Sequence, residues 1–122
     1  MMISNNLKPL RHLGQLELIE VYAYYDQPVM YSCKNERGEI FIGVCSEEHD
    51  DYEVWLYVKL SPDRFEQVRG GIISLYETFA KPENNKLYRA EVPFAELPSQ
   101  VRIVPKAFIL NEYLPQAGEF LG

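Results

Sequence analysis

The densest group of potential ligands in this chain is the run Glu47-Glu48-His49-Asp50-Asp51, in which four carboxylates flank one imidazole. Carboxylate oxygens bind hard cations, but a calcium loop spaces its acids at alternate positions and turns at a glycine. Here the acids are nearly contiguous and the run has no glycine. The run is therefore interpreted as an acidic, solvated connection, and no metal or cofactor is predicted.

The cysteines and histidines are the next candidates for chemistry. A zinc site needs about four ligands at recognisable spacing, and Cys33, Cys45, His12 and His49 show no such spacing. Cys33 falls in a predicted core strand and is interpreted as a buried thiol rather than a nucleophile. Cys45 has mainly acidic neighbours, which raise the pKa of a thiol. No catalytic residue is predicted.

Alternating apolar residues predict three consecutive strands between Val29 and Leu60. Side chains in a strand point alternately to its two faces, so every second position shares a face. The pattern predicts an antiparallel sheet with one apolar face. The three apolar series are Val29, Tyr31 and Cys33, then Ile40, Ile42 and Val44, then Val54, Leu56, Val58 and Leu60.

The turn Asn35-Glu36-Arg37-Gly38 sets the predicted register of the second and third strands. We expect Lys34 to pair with Glu39, Cys33 with Ile40, Tyr31 with Ile42 and Val29 with Val44. In this register Cys45 lies opposite Pro28 of the neighbouring strand. Pro28 is five positions from Cys33, which is about 17 Å along the strand. A disulfide needs Cα atoms within about 7 Å, so both cysteines are predicted to be reduced.

Local signals place the remaining elements. Leu16–Tyr25 reads as the first strand, with a bulge or two-sided burial at Ile19. Ser61 and Ser74 are predicted helix N-caps, and the helices should end at Gly70-Gly71 and Ala80. Two further strands are predicted at 86–92 and 101–104.

The predicted fold class is α+β, with an antiparallel sheet of five to six strands and a short helical pair inserted after the fourth strand. A chain of 122 residues has the length of one domain. Residues 1–122 are therefore predicted to form a single domain with its core at about 15–104. Residues 105–122 are expected to pack on the sheet or to form an association segment.

Three aromatic residues are predicted on the face opposite the main apolar series: Phe41, Trp55 and Tyr57. Two interpretations stay open. Aromatic residues dominate binding hot spots, so an exposed stripe would be an interaction surface. Alternatively the helices or the C-terminal segment cover this face and make it a second core layer, which is the favoured interpretation.

Composition restricts the class of partner. The chain has 18 acidic and 12 basic side chains and a formal net charge of −6. This charge argues against nucleic acid, which is bound by clustered Lys and Arg. It suits either solubility or a basic protein partner. No apolar run reaches the length of a bilayer span, so the protein is expected to have no membrane contact and to be cytoplasmic.

Several short motifs occur together in a characteristic order. They are Tyr25-Asp26-Gln27-Pro28-Val29, the Asn35–Gly38 turn, Trp55-Leu56-Tyr57, Ser61-Pro62-Asp63-Arg64-Phe65 and the run from Gly71 to Phe79. The chain from about Leu16 to Tyr88 resembles a family of small uncharacterised bacterial domains, with Phe65 where the family pattern usually has Leu. The resemblance implies a recurring bacterial domain and transfers no catalytic residue.

The sequence supports more than one function. The leading hypothesis is a non-enzymatic protein-interaction or regulatory module with an unidentified protein partner, for which the net charge favours a basic protein. The alternative is a small-ligand-binding protein or enzyme with a pocket between sheet and helices, formed by Arg64, Arg69, Tyr76 and Glu77. A third hypothesis is a homo-oligomer that associates through residues 105–122.

Overall fold

The protein folds around one six-stranded antiparallel sheet in which each strand is hydrogen-bonded to the next in the chain. The computed structural model describes residues 13–25, 27–93 and 100–105. The strands are β1 (Leu16–Tyr25), β2 (Gln27–Asn35), β3 (Ile40–Glu48), β4 (Tyr52–Leu60), β5 (Lys86–Pro93) and β6 (Gln100–Pro105). Helices α1 (Pro62–Arg69) and α2 (Leu75–Ala80) lie between β4 and β5. The predicted α+β class, with a helical pair after the fourth strand, is confirmed.

The two helices begin at the predicted caps. The Ser61 hydroxyl accepts a hydrogen bond from the Arg64 N–H at 3.2 Å, and the Ser74 hydroxyl accepts one from the Glu77 N–H at 3.1 Å. These bonds satisfy amide groups that have no partner inside the helix. Gly70 caps the end of α1, and Gly71 follows with a positive φ of 76°, a conformation that glycine adopts without strain.

The helices cover one face of the sheet. Their apolar side chains pack against those of the central strands to form what we term the helix-side cluster. Each fully buried aliphatic or aromatic side chain contributes about 1.5–3 kcal/mol of transfer free energy. The buried members are Met30, Ile42, Leu56, Val58, Leu60, Phe65, Val68, Leu75, Phe79 and Leu87.

The opposite face of the sheet carries a second group of buried residues, which we term the aromatic cluster. Because both faces of β4 contribute to a cluster, every residue from Glu53 to Val58 is buried. The sheet is therefore a layer between two apolar groups rather than the cover of one core. The members of the aromatic cluster are Leu13, Leu16, Tyr31, Cys33, Phe41, Trp55, Tyr57, Ala90 and Val101.

The predicted register of the β2–β3 hairpin is wrong by one residue. Lys34 lies opposite Ile40 rather than Glu39, and Cys33 lies opposite Phe41 rather than Ile40. The loop has three residues instead of four, because Gly38 takes a φ of 79° and the Asn35 N–H bonds to the Glu39 carbonyl at 3.1 Å.

The corrected register changes the faces of β2. Tyr31 pairs with Gly43 instead of Ile42, and Met30 rather than Val29 pairs with Val44. A shift of one residue moves every side chain of a strand to the other face. Tyr31 and Cys33 therefore belong to the aromatic cluster, and Met30 joins Ile42 on the helix side.

The Asn35 side chain holds the turn together from the inside. It is only 5% exposed, its amide donates to the Leu13 carbonyl at 2.7 Å and to Glu39 Oε1 at 2.8 Å, and its oxygen accepts from the Arg37 and Glu39 N–H groups. All four hydrogen-bonding positions of an asparagine side chain are thus used. The residue's role in this turn is structural.

Other predictions concern the ends of the chain and the cysteines. The pairing of β1 shifts between Leu18 and Glu20, which confirms a bulge at Ile19. Both cysteines are free thiols, as predicted, with Cys33 buried. The proposed association segment 105–122 lies outside the described residues apart from Pro105. Neither described helix has the length and apolar character of a membrane span.

Candidate functional site

The predicted aromatic surface lies inside the protein. Phe41, Trp55 and Tyr57 are 1%, 6% and 2% exposed, so the exposed arrangement considered from the sequence is not found. Tyr31 packs against Trp55 with ring centroids 5.1 Å apart and against Tyr57 at 6.1 Å in an edge-to-face arrangement. Aromatic pairs in such geometries add to the stability of a core. Two covers were expected from the sequence: the helices lie on the other face, and the C-terminal segment 105–122 lies outside the described residues apart from Pro105.

The polar atoms of the aromatic cluster are kept in their neutral forms. The hydroxyl groups of Tyr31 and Tyr57 are hydrogen-bonded to each other. Burial raises the pKa of both tyrosines, and it raises the pKa of Cys33 to about 12. At neutral pH Cys33 is thus a protonated thiol and a poor nucleophile. This agrees with its interpretation as a core residue.

The four residues predicted to form a pocket serve different contacts. Arg64 reaches from α1 to α2, where its Nη2 donates to the carbonyls of Glu77 at 3.3 Å and Lys81 at 2.7 Å. The Lys81 carbonyl lies at the end of α2 and has no following turn to satisfy it, whereas the Glu77 carbonyl also accepts from the Lys81 N–H at 2.9 Å. Tyr76 packs partly buried against the helix-side cluster, whereas Glu77 is exposed.

Arg69 is engaged at the other end of α1. Its guanidinium pairs with Glu20 of β1 at 3.0 Å and with Glu66 at 3.4 Å, and it lies 5.6 Å from the ring centroid of Phe65. Arg64 and Arg69 therefore attach α1 to its two neighbours at separate places. Of the four predicted residues, Arg64 contacts the backbone of Glu77, and the contacts of Arg69 lie at the other end of α1.

A strongly charged feature is found where β3 passes into β4. Residues 47–53 contain five acids and no lysine or arginine. We term these acids the acidic end: Glu47, Glu48, Asp50, Asp51 and Glu53. Glu48, Asp50 and Asp51 are exposed, Glu47 is partly buried, and Glu53 is buried. The sequence interpretation of this loop as an acidic, solvent-facing connection agrees with these exposures.

The loop of the acidic end is held in a defined conformation. The His49 N–H donates to the Tyr52 carbonyl at 2.9 Å, and the two rings stack with centroids 4.5 Å apart. His49 Nε2 lies 3.3 Å from Glu47, whose other oxygen lies 3.8 Å from Arg89 of β5. Backbone closure and ring stacking thus fix the loop, and the exposed acids project from it.

Three potential metal ligands meet beside this loop. The ligand atoms of Cys45, Glu48 and Glu53 all lie within 4.8 Å of one another. A bulge between Cys45 and Glu47 brings Cys45 and Glu48 to the same face although they are three positions apart. Burial, and then the charges of Glu53 and Glu48, raise the pKa of Cys45 to about 12. At neutral pH the cluster therefore consists of the protonated Cys45 thiol beside the side chains of Glu48 and Glu53.

Sequence reasoning did not bring Glu53 into this group. The alternation of β4 places Glu53 on the face of Trp55, and the Trp55 indole N–H lies 3.4 Å from Glu53 Oε1. That position was readable from the period of two. The approach of Cys45 and Glu48 was not, because it depends on the bulge in the neighbouring strand.

An open groove lies at the other end of the sheet, which sequence reasoning also missed. Three connections line it: the β2–β3 turn at 37–39, the β4–α1 junction at 59–62 and the α2–β5 turn at 83–84. We term it the loop groove; its volume is about 390 Å³. The antiparallel order explains the meeting of these connections, since β2, β4 and β5 all have an end there.

The cations of the loop groove share one carboxylate. Lys59 Nζ lies 2.6 Å and Arg37 Nε 2.8 Å from Glu39, which also accepts from the Asn35 amide. These three donors, with Lys59 the largest contributor, lower the pKa of Glu39 to about 2. Glu39 is therefore ionised at neutral pH and bridges two positive side chains.

These features define a small α+β domain built on a six-stranded antiparallel meander, with a helical pair on one face and a differently charged set of loops at each end. The chain belongs to a family of unknown function, DUF6575, whose model matches residues 6–122. Comparison with curated proteins gives no match, and comparison with solved structures gives none either.

Proposed function

We propose that this domain is a non-enzymatic protein-interaction or regulatory module that binds a basic segment of a cytoplasmic partner protein through the acidic end. The observation that carries the proposal is the concentration of five acids within residues 47–53, of which Glu48, Asp50 and Asp51 are exposed. A field of one sign attracts a partner of the opposite sign and orients the encounter.

The chemistry of the partner follows from this field. Lysine and arginine side chains offer N–H donors that match exposed carboxylates, and such charge-assisted bonds are stronger than neutral ones. The same field repels phosphates, so nucleic acid is not the proposed partner. The net charge of −6 extends the repulsion beyond the loop.

The geometry of the loop also suits a binding role. Because His49 and Tyr52 hold the loop by a backbone bond and ring stacking, little conformational freedom remains to be lost on binding. Tyr52 is partly exposed beside the acids, and tyrosine is among the residue types that contribute most to interfaces. The acidic end thus combines charge, order and an aromatic side chain.

A pair of charge-neutralised variants tests the proposal. One carries Glu48→Gln, Asp50→Asn and Asp51→Asn, and the matched control carries Glu17→Gln, Glu66→Gln and Glu77→Gln at exposed positions elsewhere. Each variant loses three negative charges. Both are used with the parent protein as baits in cells that produce it natively, with cross-linking and quantitative mass spectrometry.

We expect a specific partner on the parent bait, depleted about tenfold on the loop variant, since three surface charge contacts contribute about 0.5 kcal/mol each. The control variant should retain the partner. Equal depletion on both baits, or no protein enriched on the parent, would refute the role of the acidic end.

A further inference from the structure

The loop groove has the dimensions of a small-molecule site. Its volume of about 390 Å³ lies within the range of roughly 300–1,000 Å³ that is usual for ligand pockets. Its walls come from three separate connections, and the acidic end lies at the opposite end of the strands. It is therefore a separate surface from the one that carries the proposed partner.

The walls of the groove carry side-chain donors that no described residue uses. The Lys59 ammonium has three N–H donors, and among the described residues only Glu39 accepts from it. Asn84 uses its oxygen to accept from the Lys86 N–H at 3.2 Å. Its amide group retains two donors for which no described residue is an acceptor. A ligand with acceptor atoms would satisfy these donors.

The acids of the groove are already committed. Glu39 is bridged by Lys59 and Arg37. Glu83 accepts from the Ser61 N–H at 2.8 Å, at the N-terminus of α1, where the helix dipole favours negative charge. The two cations remain substantially exposed, with Arg37 at 53% and Lys59 at 42% of their side-chain surface. Arg37 also donates to the Leu13 carbonyl at 3.3 Å and lies 3.7 Å from Glu36. An incoming anion therefore depends mainly on the N–H groups of Lys59 and on the exposed part of the Arg37 guanidinium.

We infer that the loop groove binds a small carboxylic acid, whose carboxylate accepts from the exposed N–H groups of Lys59 and Arg37 that the Glu39 carboxylate, held between them, leaves free. Asn84 donates to the remainder of the ligand. The inference does not rest on the proposed protein partner, because the two sites share no residue.

The test uses glutarate as the probe and glutaramide as its uncharged match, each titrated into the ¹⁵N-labelled full chain at constant ionic strength. We expect saturable amide shifts with glutarate at residues 37–39, 59–61 and 83–84, with a dissociation constant on the order of a millimolar. Glutaramide should produce no such shifts. Equal shifts with both probes, or no saturation with glutarate, would overturn the inference.

Two variants of equal charge change separate a site from general attraction. Lys59→Gln removes a groove cation, and Lys34→Gln removes an exposed cation of β2 outside the groove. We expect Lys59→Gln, and likewise Arg37→Gln, to weaken glutarate binding about tenfold, and Lys34→Gln to leave it unchanged. The same spectra report whether each variant is folded.

Equal loss in Lys59→Gln and Lys34→Gln would mean that only net charge matters and would rule out a defined site. The variant with Glu48→Gln, Asp50→Asn and Asp51→Asn distinguishes a failure of this inference from a failure of the proposed function. It should bind glutarate as the parent does, whatever its effect on the protein partner. If a Glu-containing peptide binds through the groove and glutarate does not, the small-acid assignment fails.

Discussion

Gly43 lies beneath the ring of Tyr57 in the middle of the sheet. A Cβ atom built on Gly43 would lie 2.5 Å from Tyr57 Cε1 and 2.8 Å from its Cδ1. The position therefore needs glycine for space rather than for an unusual backbone angle. An aromatic ring that covers a strand glycine replaces the packing that the missing side chain does not provide.

The substitution Gly43→Ala should destabilise the fold by about 2 kcal/mol, because the buried Tyr57 ring cannot move aside without disturbing Tyr31. Urea unfolding measures the change. In a Tyr57→Leu background the same substitution should cost clearly less, since the flat ring is gone. An unchanged midpoint for Gly43→Ala in the parent protein would show that the ring does not lie over Gly43.

The aromatic cluster shows which properties of single residues the sequence predicts. Alternation along β3 and β4 correctly places Phe41, Trp55 and Tyr57 on one face, because the period of two is a local property of a strand. It does not reveal whether that face is covered. Coverage depends on segments distant in the chain, such as Leu13, which is fully buried in the same cluster.

The β2–β3 turn shows why an element can be predicted while its register is not. Asn35 and Gly38 mark a turn in either register, since both residue types favour tight turns. The choice between a four-residue and a three-residue loop is made by the Asn35 side chain and by the positive φ of Gly38. Asn35 also bonds to Leu13, a contact outside the hairpin. The pattern of the two strands does not contain that information.

The turn should make stability depend on pH through Glu39. Its pKa falls from 4.5 in the unfolded chain to about 2 in the fold, with Lys59 the main cause. The ionised carboxylate therefore stabilises the fold fully above pH 4.5, and this contribution is lost as the pH falls towards 2. In Glu39→Gln the acid-side loss should be smaller, and stability at neutral pH should be lower than in the parent.

Chemical denaturation across this pH interval checks the prediction. Glu36→Gln is the matched control, because Glu36 belongs to the same turn but bonds to the Gln15 N–H rather than to Lys59. If Glu39→Gln follows the parent curve at every pH, the bridge between Lys59 and Arg37 does not contribute to folding.

The boundaries of the helices were predicted more accurately than the register of the hairpin, because the residues that mark a helix end lie close to it in the sequence. Ser61, Pro62 and Ser74 act within one turn of the helix that they begin. The contacts made by the residues of the predicted pocket join positions that are farther apart in the sequence. Arg64 reaches a carbonyl 17 residues away, at Lys81, and a sequence pattern does not show which of several acceptors an arginine selects.

At the scale of the whole molecule, the two ends of the sheet differ in chemistry. The end at residues 47–53 presents exposed acids, whereas the loop groove presents Lys59 and Arg37 around a neutralised carboxylate. An antiparallel meander collects alternate connections at opposite ends, so this separation arises from topology. The acidic run was visible in the sequence, but the groove required the three-dimensional meeting of loops.

A photo-reactive amino acid at position 50 tests most directly whether the acidic end contacts a partner. Asp50 projects from the loop, and Gln67, exposed on α1, is the control position. We expect irradiation in native cells to join position 50 to one protein, at a peptide with several lysines or arginines, and to join position 67 to none. The same adducts from both positions, or a position-50 adduct at a peptide without basic residues, would contradict the proposed interaction.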